Sequence, residues 1–137
     1  MTEWADYQFP DKTILVVEDT DTSIKFFDAA LRKSQAKILW AMNGTDAIKM
    51  LEENFDKIDL VLLDLNLPQL NGFEVLKRLR KFNKDIPVIV QTAYLFSGER
   101  KESLSLGANA FISKPVHLEE LYMNISKQLE PKSITYN

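Results

Sequence analysis

Cysteine is absent from the 137 residues and histidine occurs once, as His117. Without cysteine there can be no disulfide and no thiolate zinc site, which fits a reducing compartment. Long apolar runs are missing too: none approaches the roughly 18 consecutive residues of a spanning helix. Met1 to Lys12 lacks the basic start and apolar middle of a secretory signal. The expectation is a cytoplasmic protein with no membrane insertion. Positive charge is in slight deficit, with 17 Lys and Arg against 20 Asp and Glu and a net charge of −3. That balance gives no broad attraction for nucleic acid or anionic lipid, so direct nucleic-acid binding is disfavoured.

What is present is apolar material for one core, at 45% of the residues in a chain too short for two ordinary domains. Residues 1–11 read as an N-terminal extension or linker, 12–130 as the domain and 131–137 as a C-terminal tail. Pro10 stops any helix in the extension. Trp4 and Tyr7 within it read as disordered or docked on a neighbour outside the chain.

Beyond Lys12, short apolar runs alternate with amphipathic stretches, the pattern of parallel strands joined by crossover helices. Strands are predicted at Thr13 to Val17, Lys37 to Ala41, Leu60 to Asp64, Ile86 to Gln91 and Ala110 to Ser113. The unbroken Leu60-Val61-Leu62-Leu63 marks a central strand covered on both faces. Ile24, Phe27 and Leu31 stripe the first helix, with capping side chains offered by Asp19 to Thr22. Asn43-Gly44-Thr45 is a turn and cap before a stripe of Ala47, Ile48, Leu51 and Phe55. Val75, Leu76, Leu79 and Phe82 repeat at helical spacing in the third helix, whose Lys77, Arg78, Arg80 and Lys81 read as its wet face. Ser97 to Leu106 is a less apolar helix closed by a left-handed Gly107, and Leu118, Leu121, Ile125 and Leu129 define the last. Trp40 is expected to cover a sheet edge and His117 to face solvent. Strict alternation of five strands and five helices implies an α/β fold with a doubly wound five-stranded parallel sheet, its ligands gathering beyond the carboxyl ends of the strands.

Those ends carry the chemistry. Glu18-Asp19, Asp64, Thr92 and Lys114 each follow or close an apolar run. Three carboxylates in one crevice repel one another unless a cation sits among them. Oxygen ligands without His or Cys favour Mg2+, with Mn2+ as the alternative, and magnesium commonly also touches a phosphate oxygen. Lys114 supplies a point charge and Thr92 a hydroxyl donor for phosphoryl oxygens. A carboxylate nucleophile, a metal and a lysine are the ingredients of aspartyl-phosphate chemistry, with Asp64, on the central strand, as nucleophile.

Over about Lys12 to Leu129 the chain resembles the receiver domain of bacterial two-component response regulators. The likeness is carried by Val17-Glu18-Asp19, Leu63-Asp64-Leu65-Asn66-Leu67-Pro68, Asn71-Gly72, Gln91-Thr92-Ala93 and Ser113-Lys114-Pro115. It implies the flavodoxin-like strand order 2-1-3-4-5 and a phosphorelay protein whose Asp64 takes a phosphoryl group from a phosphohistidine on a sensor histidine kinase or a histidine phosphotransfer protein. The metal ligands would be Glu18, Asp19, Asp64 and the backbone carbonyl of Asn66. Thr92 and Phe111 would form the switch, Asn66 and Tyr94 would tune dephosphorylation, and a cis bond would join Lys114 to Pro115. Output would pass to a downstream protein through helix 4, strand 5 and helix 5, or through a phosphorylation-dependent homodimer. Such a domain is a signalling receiver with self-catalysed phosphoryl transfer and slow autodephosphorylation, not an enzyme on a separate substrate. The segments before Lys12 and at Gln91 to Tyr94 look similar to receivers attached to hybrid sensor kinases.

The chain departs from the family pattern at Asn71, where Asp is usual. That residue shapes a turn, and Asn is suited to it. Three other readings compete. Asp19-Thr20-Asp21-Thr22 resembles the opening of haloacid dehalogenase-like phosphatases, with Asp19 as nucleophile and Asp21 as acid, but the later acidic pair and a cap insertion have no counterpart. A receiver-like scaffold that escapes phosphorylation would usually lack the acidic pair, the acceptor or the lysine. A flavin site is opposed by the acidic segment after the first strand, which would repel a phosphate.

Overall fold

Period-two alternation decides which layer each strand residue joins. In the computed structural model, which describes residues 7–93 and 98–130, the strands are β1 (Thr13–Val17), β2 (Lys37–Ala41), β3 (Leu60–Asp64), β4 (Val88–Thr92) and β5 (Ala110–Ser113). They interleave with α1 (Asp21–Arg32), α2 (Gly44–Asn54), α3 (Gly72–Phe82), α4 (Glu99–Ser105) and α5 (Leu118–Leu129). All pairings are parallel and the order is β2-β1-β3-β4-β5, as expected. Ile14, Val16, Leu60, Leu62 and Ile89 point into one core layer with Phe27, Leu31, Leu121 and Ile125 of α1 and α5. Leu15, Val17, Val61, Leu63, Val88 and Val90 point into the other, with Leu51 of α2 and Val75, Leu76 and Leu79 of α3. Burial on both faces explains why β3 is an unbroken apolar run.

Several sequence expectations need correction. Thr20, within the stretch expected to cap α1, holds the N-cap position, but no side chain caps that end. Its hydroxyl lies 3.5 Å from Asp19 Oδ1 instead, and Asp21 sits in the first turn. Phe55 and Phe82 are exposed, because each lies at the end of its helix, beyond the sheet-facing turns closed by Leu51 and Leu79. Arg80 is not part of a wet face: its guanidinium donates to Gly107 O at 3.0 and 2.7 Å and to Asn109 Oδ1 at 3.0 Å. Burial there lowers its pKa below the usual arginine value. Gly107 is left-handed as expected, and a Cβ there would collide with Arg80. Helix α4 begins later than expected, at Glu99, after a left-handed Gly98; Ser97 lies outside the described residues. β4 is shifted to start at Val88, because Pro87 has no N–H for the ladder.

The extension packs on the domain from Tyr7 onward, so Tyr7 is neither disordered nor docked elsewhere. Its ring stacks on Tyr122 of α5 with centroids 5.3 Å apart. Phe9 is buried in the α1–α5 layer and its N–H donates to Ser34 O at 2.7 Å. Trp4 lies outside the described residues. Trp40 is half-buried on the edge strand β2, and His117 is exposed before α5. Lys114 to Pro115 is a cis bond.

Candidate functional site

The pleat that sorts the core also assembles the site. Asp64 pairs in register with Gln91, and Val17 pairs with Leu63, so Glu18, one step past β1, comes level with Asp64. Counting by twos, Glu18 follows Ile14 and Val16, Asp64 follows Leu60 and Leu62, and Gln91 follows Ile89, placing all three on the α1–α5 side. Thr92, which pairs with Ser113, and Phe111, which pairs with Val90, have the opposite parity. Phe111 is half-buried against the α2–α3 layer.

Glu18, Asp19 and Asp64 each offer a carboxylate oxygen within 4.8 Å of the others. Glu18 is 0% and Asp64 3% exposed, so their charges have lost most of their water. Lys114 Nζ donates to Glu18 Oε2 at 3.1 Å, Asp64 Oδ2 at 3.2 Å and Ser23 Oγ at 3.3 Å. Asp64 Oδ1 accepts the Asn66 N–H at 3.0 Å, and Gln91 Nε2 donates to Glu18 Oε2 at 2.9 Å. Thr92 is fully buried at the end of β4. Tyr94 lies outside the described residues. Asp21, the second aspartate of the phosphatase-like reading, is exposed and not among the clustered carboxylates.

One ammonium cannot balance three carboxylates. Burial raises the Asp64 pKa from its ordinary 3.8 to about 6, and the neighbouring Glu18 charge adds to this; the Asn66 N–H and the Lys114 ammonium act in the opposite direction. Glu18 Oε1 is buried and has no hydrogen-bond partner among the described residues. An uncommitted carboxylate oxygen, a surplus of negative charge and an all-oxygen donor set fit a hard divalent cation.

Local geometry holds Asp64 in place. Gly72, the first residue of α3, approaches β3 so closely that a Cβ would lie 2.5 Å from Asp64 O and 2.5 Å from Leu65 Cα. Its N–H donates to Leu65 O at 3.0 Å. Asn71 supplies the cap of α3, accepting the Glu74 N–H at 3.0 Å, so its turn is the entry to that helix. Gln91 and Ser23 were not singled out from the sequence as site residues. A neutral amide at the end of an apolar strand gives no signal of its own for Gln91, and Ser23 has none beyond its place in the first turn of α1.

A family model described as the response regulator receiver domain matches residues 14–126. The chain is 31% identical over 120 residues to the polar-differentiation response regulator DivK of Brucella anthropi, covering 86% of this chain and 96% of that protein. It is 34% identical over 116 residues to the transcriptional regulatory protein ZraR of Klebsiella oxytoca, covering 85% of this chain and 26% of that protein. It therefore spans nearly all of one relative and about a quarter of the other. Among solved structures, a CheY-like response regulator receiver domain protein from Methanospirillum hungatei JF-1 superposes with a TM-score of 0.80 at 28% identity, covering 86% of this chain and 93% of that one.

Proposed function

Because the chain belongs to the response regulator receiver domain family, we propose that Asp64 is the phosphoacceptor of a two-component phosphorelay, with residues 12–130 as the receiver. One observation carries this reading: Lys114 Nζ bridges Asp64 and Glu18 at 3.2 and 3.1 Å inside a cluster of three carboxylates. A structural ion pair would need one carboxylate, and the surplus is what a cation and a phosphoryl group together would use.

The donor is a phosphohistidine on a sensor histidine kinase or a histidine phosphotransfer protein. An Asp64 carboxylate oxygen forms the new O–P bond as the N–P bond breaks, and the imidazole leaves with that electron pair and takes up a proton. Lys114 turns from the Asp64 carboxylate to the phosphoryl oxygens, and the Thr92 hydroxyl donates to them. Magnesium, when bound, neutralises charge on those oxygens; Glu18, Asp19, Asp64 and the Asn66 carbonyl are the groups that would hold it. Movement of Thr92 draws Phe111 further into the α2–α3 layer and alters the face of α4, β5 and α5, where Leu104 and Met123 are exposed. That face is the output surface, for a downstream protein or a second phosphorylated copy. Asn66, exposed two residues past the acceptor, and Tyr94 set the access of water and hence the slow loss of phosphate. In this reading the protein works in the cytoplasm; among the described residues no helix is long and apolar enough to cross a membrane.

Incubation with acetyl phosphate and magnesium, followed by peptide mass spectrometry, should place an acid-stable, base-labile adduct on Asp64 that Asp64→Asn abolishes. Label on Asp19, turnover of generic phosphate esters, or no adduct at all would reject the reading.

A further inference from the structure

Gln91 is 1% exposed, and its side chain spans the end of β3 to reach the residue after β1. A buried carboxamide left unpaired is costly, so its partners matter. Nε2 donates to Glu18 Oε2 at 2.9 Å, and the same oxygen accepts from Lys114 Nζ at 3.1 Å. Two donors thus converge on one carboxylate oxygen. The other, Glu18 Oε1, is buried without a hydrogen-bond partner among the described residues, and so is Gln91 Oε1. Two neighbouring side chains, bonded to each other, each keep one acceptor uncommitted. A hydrated divalent ion complements such a pair, offering charge to the carboxylate and water hydrogens to the amide.

We infer that Gln91 is a positioning residue of the magnesium site, its amide holding Glu18 by Oε2 so that Oε1 is the oxygen offered to the cation. The inference rests on the preceding reading of the carboxylate cluster as a magnesium site. Lys114 alone could not do this work throughout the reaction, because in that reading it turns toward the phosphoryl group. Gln91 is the donor that stays on Glu18 in both states. Its backbone also fixes it relative to the acceptor, since Gln91 O receives the Leu65 N–H at 3.3 Å.

The test is calorimetric titration of magnesium into the metal-free wild type, Gln91→Met and Gln91→Leu. Methionine keeps the length and the burial and lacks the donor. Both variants should bind magnesium about 10-fold more weakly or worse, the usual scale for losing an outer-shell partner, and their rise in melting temperature on adding magnesium should shrink. If the amide only filled space, melting would drop by the same amount in chelator and in magnesium, and affinity would stay at the wild-type value; either outcome overturns the inference. A measurement on the wild type needs no variant to fold: the Gln91 side-chain amide resonances should shift with added magnesium and saturate together with the calorimetric isotherm. Amide signals unmoved by saturating magnesium overturn the inference as well. A wild type that binds no magnesium would instead overturn the reading on which it rests.

Discussion

Asp64 is a carboxylate held where its charge is uncomfortable, and that discomfort is measurable. With no metal bound, its folded pKa of about 6 lies above the ordinary 3.8, so the native state holds this proton more tightly than the unfolded chain does. Its contribution is therefore fully favourable below about pH 4 and is lost as pH rises through 6. Asp64→Asn removes the charge and keeps the shape. In chelator at pH 8 the variant should melt about 3–5 °C higher than the wild type, the shift that ~1 kcal/mol gives at this size, with the gap closing between pH 6 and 4. Melting curves across that range check it; a variant less stable than wild type at pH 8 would show that the Lys114 ion pair outweighs the repulsion. The residues involved were legible because charge is conspicuous after apolar runs, as at Asp64 and Lys114. Gln91 was not, since a neutral amide after Val90 reads as the strand simply ending. Arg80 was misread for the opposite reason: four basic residues in a row of five positions looked like one solvated face, and nothing local reveals that Gly107 and Asn109 lie within reach of one of them.

Elements were legible in proportion to how much of their burial is local. β1, β2, β3 and β5 fall where the apolar runs put them; β1 and β3 are apolar because both their faces are covered, whereas β2 and β5 are half-buried edge strands bounded by polar residues. Helix ends were harder. Phe55 and Phe82 continue the apolar periodicity of α2 and α3, yet both overhang the core, and only the packed structure says where the sheet stops. The junction of β3 with α3 is the element contact on which the placing of Asp64 depends. Gly72→Ala would force a Cβ to within 2.5 Å of backbone atoms of Asp64 and Leu65, which cannot swing aside as a side chain would. We expect a loss of about 2–3 kcal/mol in urea unfolding and labelling by acetyl phosphate slowed by roughly tenfold or more, because Asp64 moves with its strand. Near-wild-type labelling at lowered stability would separate the helix packing from the chemistry.

At the scale of the whole molecule, the doubly wound order came from alternation and from the family resemblance together, and the structure has it as expected. What the sequence concealed is the start of the fold. Tyr7 and Phe9 sit in a polar stretch with Pro10 and look unattached, whereas Phe9 joins the α1–α5 layer and Tyr7 lies on Tyr122. Aromatic residues in an irregular segment carry no periodicity, so their partners, 25 or more positions away, leave no local trace. Phe9→Ala should cost about 2–3 kcal/mol of stability and leave acetyl phosphate labelling within about twofold, since the site lies at the opposite, carboxyl ends of the strands. Thermal melts and labelling on the same sample check both halves; an unchanged melting temperature would mean the segment is ornament.

Consecutive residues of a strand look out on opposite sides, and β4 ends on such a pair. Gln91 belongs to the compartment of the clustered carboxylates, Thr92 to the compartment where Phe111 rests, and the sheet between them is a dry wall one backbone thick. A disturbance among the carboxylates need not travel through a chain of packed side chains to get from one room to the other. The doorway is a single peptide unit, and a tilt of that unit would be felt on both sides at once.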